Sequence, residues 1–232
     1  MTRAPSSLLA VAALAVALVL LPTASALAHD ISAANREALE AMSGPQPIPY
    51  FYLGAKHMVT GVDHVLFLIG VVFFLHRLKD VVLYVSMFTI GHSLTLLGGV
   101  LAGVGVNAYI VDAIIGLSVV YKGLENIGGF RRLGLAIDTR IAVLVFGLFH
   151  GLGLATRMMD LAVSRDGLLV NLISFNIGVE AGQMMVLVVV VALLNLWRRS
   201  PSFAASAFYA NVALMAAGFI LTGQQIAGYL AS

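Results

Sequence analysis

The sequence predicts an all-α fold, a polytopic membrane protein with a bundle of six transmembrane helices after an N-terminal signal peptide. Of its 232 residues, 60% are hydrophobic and only 10% are charged, whereas soluble domains carry about 25% charged residues. The mean hydropathy of +1.00 excludes an ordinary soluble domain. Six apolar stretches of about 20 residues recur along the chain, and such a stretch crosses a bilayer as a helix. The absence of cysteine excludes disulfides and thiolate metal sites.

Residues 1–28 have the pattern of a secretory signal peptide. Arg3 provides a positive start, residues 8–21 are apolar, and residues 26–28 form an Ala-Leu-Ala cleavage site. Cleavage there would leave residues 29–52 as a short extracytoplasmic segment, and the alternative is an uncleaved anchor helix. Three prolines stiffen the end of that segment: Pro45, Pro47 and Pro49.

Residues 53–232 are the predicted six-helix transmembrane domain. Its spans are expected at residues 53–75, 81–102, 107–127, 140–159, 168–196 and 204–230.

Basic residues predict how the chain is oriented in the membrane. They concentrate in the loops after the first, third and fifth spans: Arg77 and Lys79; Arg131, Arg132 and Arg140; Arg198 and Arg199. The positive-inside rule assigns these loops to the cytoplasm. Both termini of the mature protein are therefore expected outside the cytoplasm.

The first span carries unusual polar residues, namely His57, Asp63 and His64. An aspartate at a bilayer centre costs roughly 2.5–3.5 kcal/mol, so such groups usually have a function. On a continuous helix the two histidines share one face about 10 Å apart. That distance is too long for both to bind one ion, but it suits successive stops on a path for Ni, Zn, Co or Fe(II). Alternatively, Asp63 accepts a hydrogen bond from a histidine and only stabilises packing.

Two further histidines, His92 and His150, lie in the middle of the second and fourth spans. Each follows a phenylalanine by four residues, Phe88 and Phe146. Alone, His92 is better explained by an interhelical hydrogen bond than by metal binding. Gly147 and Gly151 form a small-xxx-small pair that lets another helix approach beside His150.

Polar residues also mark the third and fifth spans. Asn176, Glu180 and Gln183 form one stripe on an apolar helix, and we expect this stripe to face the bundle interior or a wet cavity. In the third span, Lys122 is expected to pair with Glu125 three residues later. For Glu125, a structural and a functional role are equally compatible with the sequence.

Four motifs together resemble the HupE/UreJ family of bacterial membrane proteins. They are His57-x5-Asp63-His64, Phe88-Thr-x2-His92-Ser-x-Thr95, Phe146-Gly-Leu-x-His150-Gly-x-Gly153 and Phe175-Asn176-x-Gly178-Val179-Glu180-x-Gly182-Gln183. The resemblance spans residues 50–190, and the pattern is closest to a less characterised branch. It implies nickel uptake for hydrogenase and urease maturation. It also implies a location in a bacterial inner membrane, where the predicted topology places both mature termini in the periplasm. It also implies that His57, Asp63 and His64 handle the metal, with His150 and Glu180 in supporting roles.

The function predicted from these observations is a permease for a divalent transition metal, with Ni²⁺ first and Zn²⁺, Co²⁺ or Cu as alternatives. The metal-handling residues would be His57, Asp63, His64, His92, His150 and Glu180, with Glu125, Asn176 and Gln183 as supporting polar residues. No tightly bound cofactor is predicted, and the chain is not expected to be an enzyme. Expected partners are the lipid bilayer, the metal ion, and metalloenzyme maturation machinery or a larger membrane complex, but no nucleic acid. The competing interpretations are an accessory or structural subunit and an intramembrane zinc-dependent hydrolase that uses His64, His92 and His150.

Overall fold

The computed structural model describes residues 44–159 and 166–232. Within these ranges the chain forms helices joined by short loops and contains no β-strand. The helices are α1 (Pro47–Thr60), α2 (Val62–Val72), α3 (Leu78–Ala102), α4 (Ala108–Asn126), α5 (Gly129–Arg132), α6 (Thr139–Met159), α7 (Leu168–Arg198) and α8 (Phe203–Ala231). The predicted signal peptide, residues 1–28, and residues 29–43 of the predicted extracytoplasmic segment lie outside the described ranges.

Four of the described helices are long and apolar enough to cross a membrane: α3, α6, α7 and α8. Their ends lie within a few residues of the predicted limits. The bent pair α1 and α2 counts as a fifth crossing if it forms one span. The predicted span 107–127 coincides with α4, which falls outside this set and carries three charged residues, Asp112, Lys122 and Glu125. The six-span prediction is therefore supported for four or five stretches.

The first span is not the continuous helix that the sequence predicted over residues 53–75. It begins at Pro47 and breaks at Gly61, where α1 and α2 meet at a bend of 64°. Pro47 is the first residue of the helix and does not precede it. Backbone N–H groups in the first helical turn make no hydrogen bond within the helix, so a proline, which has no N–H, is tolerated there. Gly61 has extended backbone angles, φ −69° and ψ 99°, and separates the two half-helices.

Close contacts between small residues join the helices into three pairs, α1 with α7, α3 with α6, and α4 with α8. A Cβ added at Gly178 of α7 would overlap the carbonyl group of Phe51 on α1. A Cβ at Gly147 of α6 would overlap the carbonyl group of Phe88 on α3, and one at Gly116 of α4 would come within 2.8 Å of a backbone nitrogen of α8. The backbones thus approach as closely as small-xxx-small packing in membranes allows.

The packed pairs also fix the relative directions of the helices. α3 and α6 run parallel, since Gly91 lies against Gly147 and Gly99 lies against Ala155. α1 and α7 are parallel as well, whereas α4 and α8 are antiparallel. If the six predicted spans crossed the membrane in alternating directions, the same helices would be parallel and antiparallel.

The glycine contacts predict that a glycine-to-alanine substitution lowers stability at one helical position and raises it at another. Gly178→Ala should lower stability by about 1–3 kcal/mol, because its Cβ would push the α1 backbone away. Gly98→Ala on α3 is the matched control, since nothing lies within 4 Å of its added Cβ, and alanine favours a helix by up to about 1 kcal/mol. Thermal unfolding in detergent measures both, and equal melting temperatures for the two variants would contradict the packing.

Candidate metal site

Four histidine rings from four helices meet around His64. His64 lies in the first turn of α2, and its ring centre is 5.0 Å from that of His57 on α1. It is 4.8 Å from the ring of His150 on α6 and 6.3 Å from that of His92 on α3. The side chains of His64, His92 and His150 are buried, at 3%, 2% and 1% exposed. The structure thus brings together the four histidines that the sequence singled out.

The distance of about 10 Å predicted between His57 and His64 is wrong. That distance assumed one continuous helix, whereas α1 and α2 meet at a bend of 64° at Gly61 and the two ring centres lie 5.0 Å apart. Gly61 is closely enclosed there, because an added Cβ would lie 2.9 Å from both the His57 carbonyl oxygen and His64 Nδ1. The two histidines are therefore direct neighbours.

Asp63 orients the ring of His64. Its Oδ1 lies 2.8 Å from His64 Nδ1 and also accepts the His64 backbone N–H at 2.8 Å. When Nδ1 donates its hydrogen to this carboxylate, Nε2 is left with a lone pair. A carboxylate behind a histidine in this way is a common feature of metal sites, where it fixes the tautomer and raises the basicity of the ligand. The predicted alternative, in which Asp63 accepts a hydrogen bond from a histidine, describes the same contact and does not exclude this role.

His150 is oriented in a similar way by its own helix. Its Nδ1 lies 2.8 Å from the carbonyl oxygen of Phe146, one turn earlier in α6. A carbonyl only accepts hydrogen bonds, so Nδ1 carries the hydrogen and Nε2 has the lone pair.

The Nε2 atoms of His64 and His92 are buried and make no hydrogen bond within the described parts of the chain. A buried polar atom without a partner is costly, and each such case calls for an explanation such as an ion. The chemistry of these atoms fits a borderline metal, because imidazole nitrogen binds Ni²⁺, Zn²⁺ and Cu²⁺ well.

The rings are arranged in pairs rather than as a closed cage. Two imidazoles on one tetrahedral ion, with metal–nitrogen bonds of about 2.0–2.1 Å, have ring centres about 5 Å apart. The His57–His64 and His64–His150 separations of 5.0 and 4.8 Å match that value. Among the described residues, however, no group of three or more His, Asp or Glu side chains is arranged to hold a metal ion.

The polar stripe of α7 only partly faces inward. Asn176 and Gln183 are buried as predicted, and they contact α3, where Ser93 donates to Asn176 at 3.1 Å. Glu180 is exposed, and Asn176 donates to it at 3.3 Å. Glu180 lies about 40° around the helix from Asn176. The structure therefore places Asn176 and Gln183 in the interior and leaves Glu180 exposed, and the predicted alternative of a wet cavity stays a prediction for Glu180.

Glu125 lies at a second polar region, near the end of α4. The predicted ion pair is confirmed, with Lys122 Nζ 2.5 Å from Glu125 Oε2. Thr139, at the start of α6, donates to the other carboxylate oxygen. These residues line a cavity of about 610 Å³, together with Asn126 and Tyr84. Glu125 therefore belongs to this cavity rather than to the histidine cluster.

Sequence reasoning missed the phenylalanines that surround the histidines. The ring of Phe88 lies 4.9 Å from that of His150, and the ring of Phe67 lies 5.4 Å from it. The repeated spacing of Phe88 with His92 and of Phe146 with His150 was a signal for two of them. No such spacing pointed to Phe67. Its position beside His150 depends on the bend at Gly61, which the sequence did not predict.

The contact between Asp63 and His64 predicts a measurable loss of metal affinity. Asp63→Asn should weaken Ni²⁺ binding by about 10–100-fold, because the amide no longer supports the His64 tautomer. Calorimetry on purified protein measures this affinity. His76→Ala is the control, since His76 is an exposed histidine at the end of the first span. Equal Ni²⁺ affinities for wild type and Asp63→Asn would exclude this role for the carboxylate.

The comparison with known families agrees with the motifs. A family model described as HupE / UreJ protein matches residues 30–232, which is most of the chain. No curated protein and no solved structure matches it. The match confirms the resemblance inferred from the four motifs, and the chain therefore belongs to the HupE/UreJ family.

Proposed function

We propose that the protein is a membrane permease that carries a divalent transition metal ion, with Ni²⁺ as the leading candidate, from the periplasm to the cytoplasm. The observation that carries the proposal is the meeting of four histidine rings at the break of the first span. The HupE/UreJ family is linked to the uptake of nickel and other metals, which supports a role in metal transport rather than in catalysis.

A broken helix is a common feature of transporter binding sites, because the break exposes ligands and backbone groups inside the bundle. In the proposed path the ion enters at His57 and passes to His64, which Asp63 orients. His150 and His92 then lie 4.8 and 6.3 Å from His64, measured between ring centres. Glu180 enters the path only through the family resemblance, because its side chain is exposed.

We infer that α4 also crosses the membrane and completes six spans. Its 19 residues extend about 28 Å, close to the thickness of the hydrocarbon core, and it packs along α8 in the opposite direction. Its charges are paired, Lys122 with Glu125 and Asp112 with Arg157. Paired charges that face the bundle interior are tolerated in a membrane. With six spans, the basic loops lie in the cytoplasm and both mature termini lie in the periplasm of a bacterial inner membrane.

Uptake assays test the transport proposal. In cells without their own nickel importers, wild type should accumulate radioactive nickel. His64→Ala should lower the rate by about tenfold or more, because it removes the histidine at the centre of the cluster. His76→Ala should import like wild type, and competition by Zn²⁺ and Co²⁺ ranks the candidate ions. Equal import by His64→Ala and wild type at equal membrane levels would contradict the proposal and favour an accessory subunit.

The absence of cysteine allows the topology to be tested with single introduced thiols. Val104→Cys lies before α4 and Leu133→Cys lies after it, and both positions are exposed. A membrane-impermeant maleimide should label Val104→Cys and Ser232→Cys in cells with a permeabilised outer membrane. It should label Leu133→Cys only after the inner membrane is opened. Labelling of Val104→Cys and Leu133→Cys from the same side would show that α4 does not cross.

A further inference from the structure

Three helices carry an aromatic ring one turn from a histidine of the cluster. On α3, Phe88 lies four residues before His92, and on α6, Phe146 lies four residues before His150. α2 runs in the opposite direction, and there Phe67 lies three residues after His64. All three phenylalanines therefore lie on the same side of the cluster, away from the periplasmic start of the path.

These three rings form one contiguous layer. The ring of Phe67 lies 5.3 Å from that of Phe88 and 5.8 Å from that of Phe146. Phe67 and Phe88 are buried, at 0% and 1% exposed. The layer also contacts the histidines directly, since the rings of Phe67 and Phe88 lie 5.4 and 4.9 Å from the ring of His150.

The other side of the layer leads to the cavity of about 610 Å³ at the end of α4. The ring of Phe146 lies 5.1 Å from that of Tyr121, which lies 4.8 Å from that of Phe130 in the cavity wall. Lys122 and Glu125 line the same cavity. Two polar regions thus lie on opposite sides of a band of aromatic rings.

We propose that Phe67, Phe88 and Phe146 form a hydrophobic gate between the histidine cluster and this cavity, which is the vestibule on the cytoplasmic side. The proposal rests on the proposed transport function and assigns the step that follows ion capture. A constriction lined by apolar side chains excludes water, and an ion cannot cross it without losing its ligands. The gate keeps protons and hydrated ions from passing while the ion rests on the histidines.

The gate and the metal ligands are mechanically linked. His64 and Phe67 are three residues apart on α2, a helix of only 11 residues that adjoins the break at Gly61. A rotation of this half-helix moves the central histidine and one gate ring together. Release of the ion and opening of the layer are therefore one movement.

Proteoliposomes without any transition metal test the gate. Phe67→Ala and Phe146→Ala should each collapse an imposed pH gradient several-fold faster than wild type, as reported by an internal pH-sensitive dye. Phe219→Ala is the matched control, since Phe219 is 56% exposed on α8 and should leave the gradient as stable as in wild type. Phe146→Leu should also remain tight, because leucine keeps the layer apolar.

The state of each variant is checked by size-exclusion chromatography and by Ni²⁺ affinity before reconstitution. Folded Phe67→Ala and Phe146→Ala proteins that bind Ni²⁺ like wild type but leak no faster than Phe219→Ala would overturn the gate. A different result would contradict the transport proposal but not the gate. In that case wild-type proteoliposomes would take up no Ni²⁺, while the gate variants would still leak protons.

Discussion

The break between α1 and α2 at Gly61 is the constraint on which the site depends. Inside a bilayer, backbone groups freed by a break must find partners without water. The Gly61 N–H donates to the His57 carbonyl oxygen at 2.9 Å, and the Gly61 carbonyl accepts from Val65 at 3.0 Å. Asp63 accepts the backbone N–H of His64 and also contacts its ring. The carboxylate that satisfies the start of α2 therefore also orients the central histidine.

Close helix packing supplies the other two rings. His92 and His150 lie on α3 and α6, whose backbones touch where Gly151 meets the His92 carbonyl group. A side chain at Gly151 would separate these helices and move both histidines away from His64. The glycines are thus needed for packing, as the sequence indicated, and the same packing sets the distances within the cluster.

The sequence predicted the limits of four helices well and singled out the four histidines that the structure brings together, because both depend on local chemistry. Polar side chains are conspicuous in apolar stretches, and the length of a span follows from bilayer thickness. The prediction failed where it needed a bend. It placed His57 and His64 about 10 Å apart on a straight helix, and it gave no place to Phe67. It also did not separate the exposed Glu180 from the buried Asn176 and Gln183, because a helical stripe does not show how far a neighbouring helix covers it.

The paired arrangement of the histidines bears on how tightly the cluster would bind a metal ion. A closed structural zinc site with four ligands is worth about 10–16 kcal/mol, which would hold an ion for too long. In the proposed function, His64 would share an ion with His150 or with His57, whose ring centres lie 4.8 and 5.0 Å from its own. Each pair offers two nitrogens, so water or the next histidine must complete the coordination. In the proposed transport, an ion held in this way would exchange ligands at His64 and move on to the next histidine.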